Sequence, residues 1–158
     1  MSKGAKESLQ LGSSARKLDA VAVRQGIERE CPYREGVTFT ILPAAHFNPR
    51  FRRAVQNRMT LAVAKKANGL ASEDGAHDET FVEEAEGRYD DPEFIASALL
   101  ADINGIRNEK GNPVKYTHER GVQILSDPSN WDVREWLINE ALTLGQFYTD
   151  DVEAAAKN

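Results

Sequence analysis

Residues 36–42 read Gly-Val-Thr-Phe-Thr-Ile-Leu, with Val37, Phe39 and Ile41 alternating against Thr38 and Thr40. A period of two places the three apolar side chains on one face of a strand. Cys31–Arg34 is the expected partner strand, so the pattern predicts a small β-hairpin near residues 31–42. One hairpin is marginal in water and must lean on helices. Ahead of it, Leu18, Val21, Ala22 and Ile27 outline a short helix that Gly26 weakens. Beyond it, Asn48-Pro49 is a helix start, with the Asn side chain as cap and a proline that needs no amide partner. That helix is expected from Pro49 to about Ala67, stopped by Gly69, with Phe51, Val55, Met59, Ala62 and Val63 near one face. Phe47 is placed to act as a hydrophobic staple before the cap.

Asp91-Pro92 repeats the same start, and Phe94, Ile95, Ala98, Leu99 and Ile103 recur at helical spacing up to Asn104-Gly105. Lys110-Gly111-Asn112-Pro113 is a turn. Thr117 caps a short helix through Val122, Ile124 and Leu125, and residues 127–130 end it. Val133, Trp136, Leu137, Ala141, Leu144 and Phe147 share the face of a final long helix over residues 131–147, with Ile138 and Leu142 at its edge. Thr149 is expected to cap a last short helix. The fold class is therefore α+β and mainly α-helical, a small N-terminal β-hairpin followed by about five helices. Residues 1–16 form a flexible arm, 17–70 the hairpin plus a basic helix, 71–91 an acidic linker, and 92–158 a helical part that shares one core with 17–70.

Composition narrows the chemistry. The chain has 158 residues, with 20 Lys+Arg against 25 Asp+Glu, a net charge of −5. That balance disfavours a surface built to grip nucleic acid. The single cysteine, Cys31, excludes an internal disulfide and a four-cysteine zinc site, and beside Pro32 and Tyr33 it reads as a small buried hydrophobe. No apolar stretch is long enough to span a bilayer, and the N-terminal residues lack a signal-peptide core, so a soluble cytosolic protein is expected. His46, His77 and His118 lie far from one another, and no His or Cys sits three or four residues from any of them. Glu83, Glu84 and Glu86 form a carboxylate cluster in a polar stretch, where water solvates them. No glycine-rich phosphate loop or nucleophile elbow occurs. The expectation is a protein that is not an enzyme, with no cofactor and no metal.

The informative feature is charge segregation. The helix from Pro49 carries Arg50, Arg52, Arg53, Arg58, Lys65 and Lys66 and no acid, while residues 71–91 carry nine acids and, among Lys and Arg, only Arg88. A basic helix with Phe51 and Met59 suits an anionic partner. The acids that follow either neutralise it within the molecule or repel nucleic acid, which is ranked low as a partner for that reason. Of the two tryptophans, Trp136 lies on the apolar stripe and belongs to the core. Trp131 sits at the first turn, where it closes over the Thr117–Leu125 helix or stays partly exposed, and large aromatics there are hot-spot material. The candidate partner-binding residues are thus Arg50, Arg52, Arg53, Arg58, Lys65, Lys66 and Trp131.

Read in series, the extended Gly36–Leu42 stretch, Phe47-Asn48-Pro49-Arg50-Phe51, the acidic middle, Ile95–Ile106, Asn108-Glu109-Lys110-Gly111-Asn112-Pro113-Val114-Lys115-Tyr116-Thr117, Ile124-Leu125, Trp131–Leu137 and the closing Lys157-Asn158 resemble the tail assembly chaperones of long-tailed bacteriophages. The likeness covers roughly residues 35–158. It departs at Asp102-Ile103-Asn104-Gly105-Ile106, where related sequences often carry Gly-Trp. The resemblance implies a non-catalytic protein of the host bacterial cytoplasm. Its partners would be the tape-measure protein, tail-tube subunits and a longer, frameshifted form of itself, and it would be absent from the finished virion. Rival classes are a virion structural protein (tail-completion or head–tail connector) and a small nucleic-acid-binding regulator using the Arg50–Lys66 helix.

Overall fold

The computed structural model describes residues 16–70 and 91–150, together with Glu7 and Leu9. Most of the expected arm, the acidic stretch up to Asp90 and residues 151–158 lie outside the described residues. The fold is α+β and mainly helical, with a small hairpin near the N-terminus.

β1 (Arg16–Leu18) leads to α1 (Ala20–Gln25) through Asp19, whose carboxylate accepts from the Val21 and Ala22 amides at 3.1 and 3.2 Å. The short predicted helix is thus real but ends at Gly26, and Ile27 opens a strand instead. β2 (Ile27–Glu30) pairs antiparallel with β3 (Thr38–Ile41), Ile27 opposite Ile41. The expected partner strand, Cys31–Arg34, is the connecting loop. Pro32 has no amide to lend a ladder, and the loop is closed by the Cys31 amide donating to the Val37 carbonyl at 2.8 Å. The period-two reading of β3 holds, with Phe39 and Ile41 buried and Thr38 and Thr40 half-buried.

α2 (Pro49–Leu70) and α3 (Pro92–Ala98) intervene before β4 (Leu100–Asn104), which completes a three-stranded sheet in the order β2-β3-β4. Here the pattern misled, because a single helix was expected to run on through Ile103. Thr40 faces Asp102 whereas Ile41 faces Leu100, so Ala101 is an extra residue that breaks the alternation. The bulge puts Leu100 and Ile103 in the same core although they are three apart, which is also a helical spacing.

α4 (His118–Ser126) starts on the Thr117 hydroxyl, which accepts from the Arg120 amide at 3.2 Å. Gly121 lets the Tyr116 ring lie against the helix, since a Cβ there would fall 2.8 Å from the ring. Burial pushes the Tyr116 hydroxyl's pKa up, with nearby Arg50 opposing. A 3-10 turn at Pro128–Asn130 feeds α5 (Trp131–Leu142). The expected long helix stops at Leu142, one residue before Thr143 and three before Gly145. The chain then tightens into a second 3-10 turn, Leu144–Phe147, that buries Phe147. Thr149 lies in β5 (Tyr148–Asp150), which pairs antiparallel with β1, and the short helix expected after it falls outside the described residues. Phe47 turns edge-on to Tyr148, with ring centroids 6.2 Å apart.

One buried cluster joins both halves of the chain. Phe39 and Ile41 from the sheet meet Phe51 of α2, Phe94 and Ile95 of α3, Leu125 of α4 and Leu137 of α5.

Gly105 adopts φ +102° where the end of β4 meets the hairpin loop, and a Cβ there would collide with the Gly36 carbonyl. Gly111 also has a positive φ, +79°, but faces open space. Left-handed backbone alone costs a non-glycine residue about 1–2 kcal/mol. Gly111→Ala is expected to lose that much in chemical denaturation, and Gly105→Ala clearly more, because backbone must also move.

Candidate protein-docking surface

The start of α2 is fixed by its own side chains. Asn48 is buried. Its Oδ1 accepts from the Arg50 amide at 3.1 Å, and its Nδ2 donates to the Pro43 and Ala98 carbonyls, both at 2.9 Å. Arg50 donates through Nε to the Ser97 carbonyl at 2.8 Å, and through Nη2 to the Ala96 and Leu100 carbonyls at 3.1 and 3.0 Å. These are carbonyls at the end of α3 and the start of β4, where helix geometry supplies no donors. Phe51 packs edge-on to Phe94 with centroids 5.8 Å apart.

The seven candidate partner-binding residues therefore divide. Arg50 gives its donors to the fold. Arg58 stacks over the Phe94 ring at 5.2 Å and reaches the Asp91 carboxylate at 3.7 Å. Arg52 is exposed and donates once, to the His46 carbonyl at 3.3 Å. Arg53 and Lys65 are exposed and Lys66 is half-buried. Trp131 lies apart from these cations on α5, which packs on α4 and β3, while α2 packs on α3.

Past Arg58 the helix carries apolar side chains into solvent. Met59 is 49% exposed, Leu61 63% and Val63 58%. The sequence placed Met59 and Val63 on the buried face with Phe51. In the fold, Phe51 and Ala62 are buried and Val55 is half-buried, while Met59 and Val63, four residues apart, lie on the exposed flank of that face.

α5 is apolar on two sides. Val133, Leu137 and Ala141 face the core. Trp131 and Leu142 are exposed at 49% and 56%, with exposed Glu135 between them and Ile138 half-buried where this stripe meets the core. Arg134 lies over the Trp131 ring at 4.3 Å, and its Nη1 donates to the Leu125 carbonyl at 3.3 Å. A hollow of about 320 Å³ lies between Trp131, Arg134, Glu135, Ile138 and Asn139. The sequence singled out Trp131 but left Leu142 at the edge of the core stripe. The available signal was that α5 has more apolar residues than one buried face can use.

The first turn of α5 is held by Arg34 of the hairpin loop. Its Nη1 and Nη2 each donate to one Asp132 carboxylate oxygen at 3.1 Å, and Nη2 also reaches the Ser129 carbonyl at 2.9 Å. Arg34 holds the Asp132 carboxyl below the usual carboxylate range. Among the described residues no group of three or more His, Cys, Asp or Glu converges as a metal site, and His118 pairs singly with Glu93 at 2.9 Å. No described helix is long and apolar enough to cross a membrane.

Residues 46–158 match the model of a family described as YdaY prophage protein. The match makes the molecule a phage-derived protein. It spans well over half of the chain, and the chain belongs to the YdaY prophage protein family. No curated protein and no solved structure matched. The matched region opens two residues before Asn48 and so contains the whole junction between α2, α3 and β4.

Asn48→Ala removes a cap and the donor to two inner carbonyls, and is expected to cost about 2–4 kcal/mol. Thr117→Ala, which removes a cap alone, is expected to cost about 1 kcal/mol. Thermal unfolding of the two variants checks the ranking. Because the Asp132 pKa is lowered in the fold, its contribution is present above the ordinary carboxylate pKa, near about 4, and fades as pH falls through the depressed value. Asp132→Asn is expected to flatten that acid limb in a stability-against-pH series.

Proposed function

We propose that this prophage protein is a tail assembly chaperone of a long-tailed phage. In this reading it works in the host bacterial cytoplasm, holds the tape-measure protein, helps recruit tail-tube subunits, and carries out no chemistry of its own. The observation that carries the reading is the outer half of α2, where Met59, Leu61 and Val63 stand in solvent on a helix with six cations and no acid. Family membership supplies the phage context. The resemblance of residues 35–158 to tail assembly chaperones supplies the specific role.

Physical requirements agree with that role. A tape-measure chain is long, helical and prone to aggregate. Its amphipathic helices present apolar anchors at i, i+3, i+4 and i+7, which dock on exposed apolar helix faces. It must also be released, so several modest contacts suit better than one deep site. The cations of α2 add steering that weakens as salt rises. A longer frameshifted form of the same chain would share this surface.

Co-expression with tape-measure fragments is expected to yield a soluble complex that survives purification. Met59→Asp with Val63→Asp is expected to weaken it at least tenfold while leaving the thermal melt unchanged, since both side chains are already exposed. Absence of binding at micromolar concentration in low salt overturns the assignment.

A further inference from the structure

Asn104-Gly105 marks the end of β4, and the fold leaves the two reactive groups of this pair unengaged. Asn104 is the last residue of the strand and its side chain is exposed. Among the described residues, neither the Asn104 carboxamide nor the Gly105 N–H makes a hydrogen bond. The neighbouring Ile103 amide, by contrast, donates to the Asp102 carboxylate at 2.9 Å. Asparagine before glycine is the pair in which a backbone nitrogen most readily reaches the preceding side chain, because glycine brings no Cβ to obstruct it.

The chain holds one further Asn-Gly pair, Asn68-Gly69, and the structure separates the two. Asn68-Gly69 lies inside α2, where helical geometry commits the glycine amide to the carbonyl four residues back. For Asn104 to react, its main chain must rotate out of the extended conformation. At the strand end this costs only the last rung of the ladder, Thr38 opposite Asn104.

We propose that Asn104 is a site of spontaneous deamidation in the folded protein. Base removes the Gly105 amide proton and the nitrogen attacks Asn104 Cγ. The Cγ–Nδ2 bond breaks, ammonia leaves, and a cyclic imide joins the two residues. Water then adds to one imide carbonyl and breaks its bond to nitrogen. Addition at Cγ yields aspartate. Addition at the backbone carbonyl yields isoaspartate, whose main chain runs through the former side chain and is one methylene longer. The sum is one water consumed and one ammonia released, with no change of oxidation state.

The location decides the consequence. Gly105 lies so close to the Gly36 carbonyl that no Cβ fits, and Phe39 pairs with Ile103 one step further in. An inserted methylene cannot keep both the Thr38–Asn104 rung and this close approach. The isoaspartate form therefore loses the end of β4, whereas the aspartate form only adds a charge at an exposed position. The reaction limits the life of the fold whatever partner the protein holds.

Peptide mapping by mass spectrometry of the purified full chain, incubated in mildly alkaline buffer, tests this. The peptide holding Asn104 is expected to gain one mass unit and to split into aspartate and isoaspartate forms, ahead of the peptide holding Asn68. Asn104→Gln, which would need a larger ring, is expected to stop conversion at residue 104. The aged parent is expected to melt below Asn104→Gln aged in parallel, while freshly made Asn104→Asp melts with the fresh parent. If Asn104 stays intact in the native chain but converts once the chain is unfolded in urea, the fold protects the pair and the proposal is overturned. Faster conversion at Asn68 than at Asn104 overturns it too. A converted parent that melts with aged Asn104→Gln overturns the loss of the end of β4.

Discussion

An amide and a guanidinium decide how this chain is laid out. Asn48 and Arg50 together supply donors to five backbone carbonyl contacts around the end of α3, the start of β4 and the connector after β3. Without them those carbonyls would sit where water cannot reach well and no helical amide follows. With them, the long excursion between β3 and β4 closes on itself. α2 leaves at a set angle, α3 returns, and β4 drops into register beside β3. The Phe51–Phe94 contact then fills the space that this geometry creates.

The same anchoring explains why one end of α2 belongs to the core and the other to solvent. The first turns are tied to α3 through Arg50, Phe51 and Arg58, and beyond Arg58 the described contacts with α3 give way to exposed Met59 and Val63. A helix of this kind is stabilised at its root and presents one flank of its outer half as surface, while Ala62 on the same stretch stays buried. α5 is the converse case. It is seated along its length by Val133, Leu137 and Ala141, and its outward stripe is surplus to the core. The Arg34–Asp132 pair fixes where that stripe begins.

Much of the fold was legible because the local signals were chemical. The Asn48, Thr117 and Asp127 side chains all accept from amides in the turns they open, and the Thr/apolar alternation located β3. The misreadings came from pairing that sequence spacing does not encode. β4 was hidden because its bulge at Ala101 mimics helical spacing. β1 and β5 are three residues each and find one another across the whole described chain. β2 has one half-buried residue and three exposed ones, so no alternation marked it. For the candidate surface, charge segregation pointed to the right helix, but it could not separate Arg50, which is spent on carbonyls, from Arg52 and Arg53, which face solvent. That distinction depends on where α3 ends, and so on the tertiary fold.

Cys31 closes the loop between β2 and β3 with its amide, and its thiol is buried beneath that loop. It is the chain's sole cysteine. Alkylation of this thiol is therefore slowed by burial, and its rate rises with the fraction of time this corner of the sheet is open. The molecule thus carries a native reporter of its own breathing, readable by mass spectrometry after alkylation.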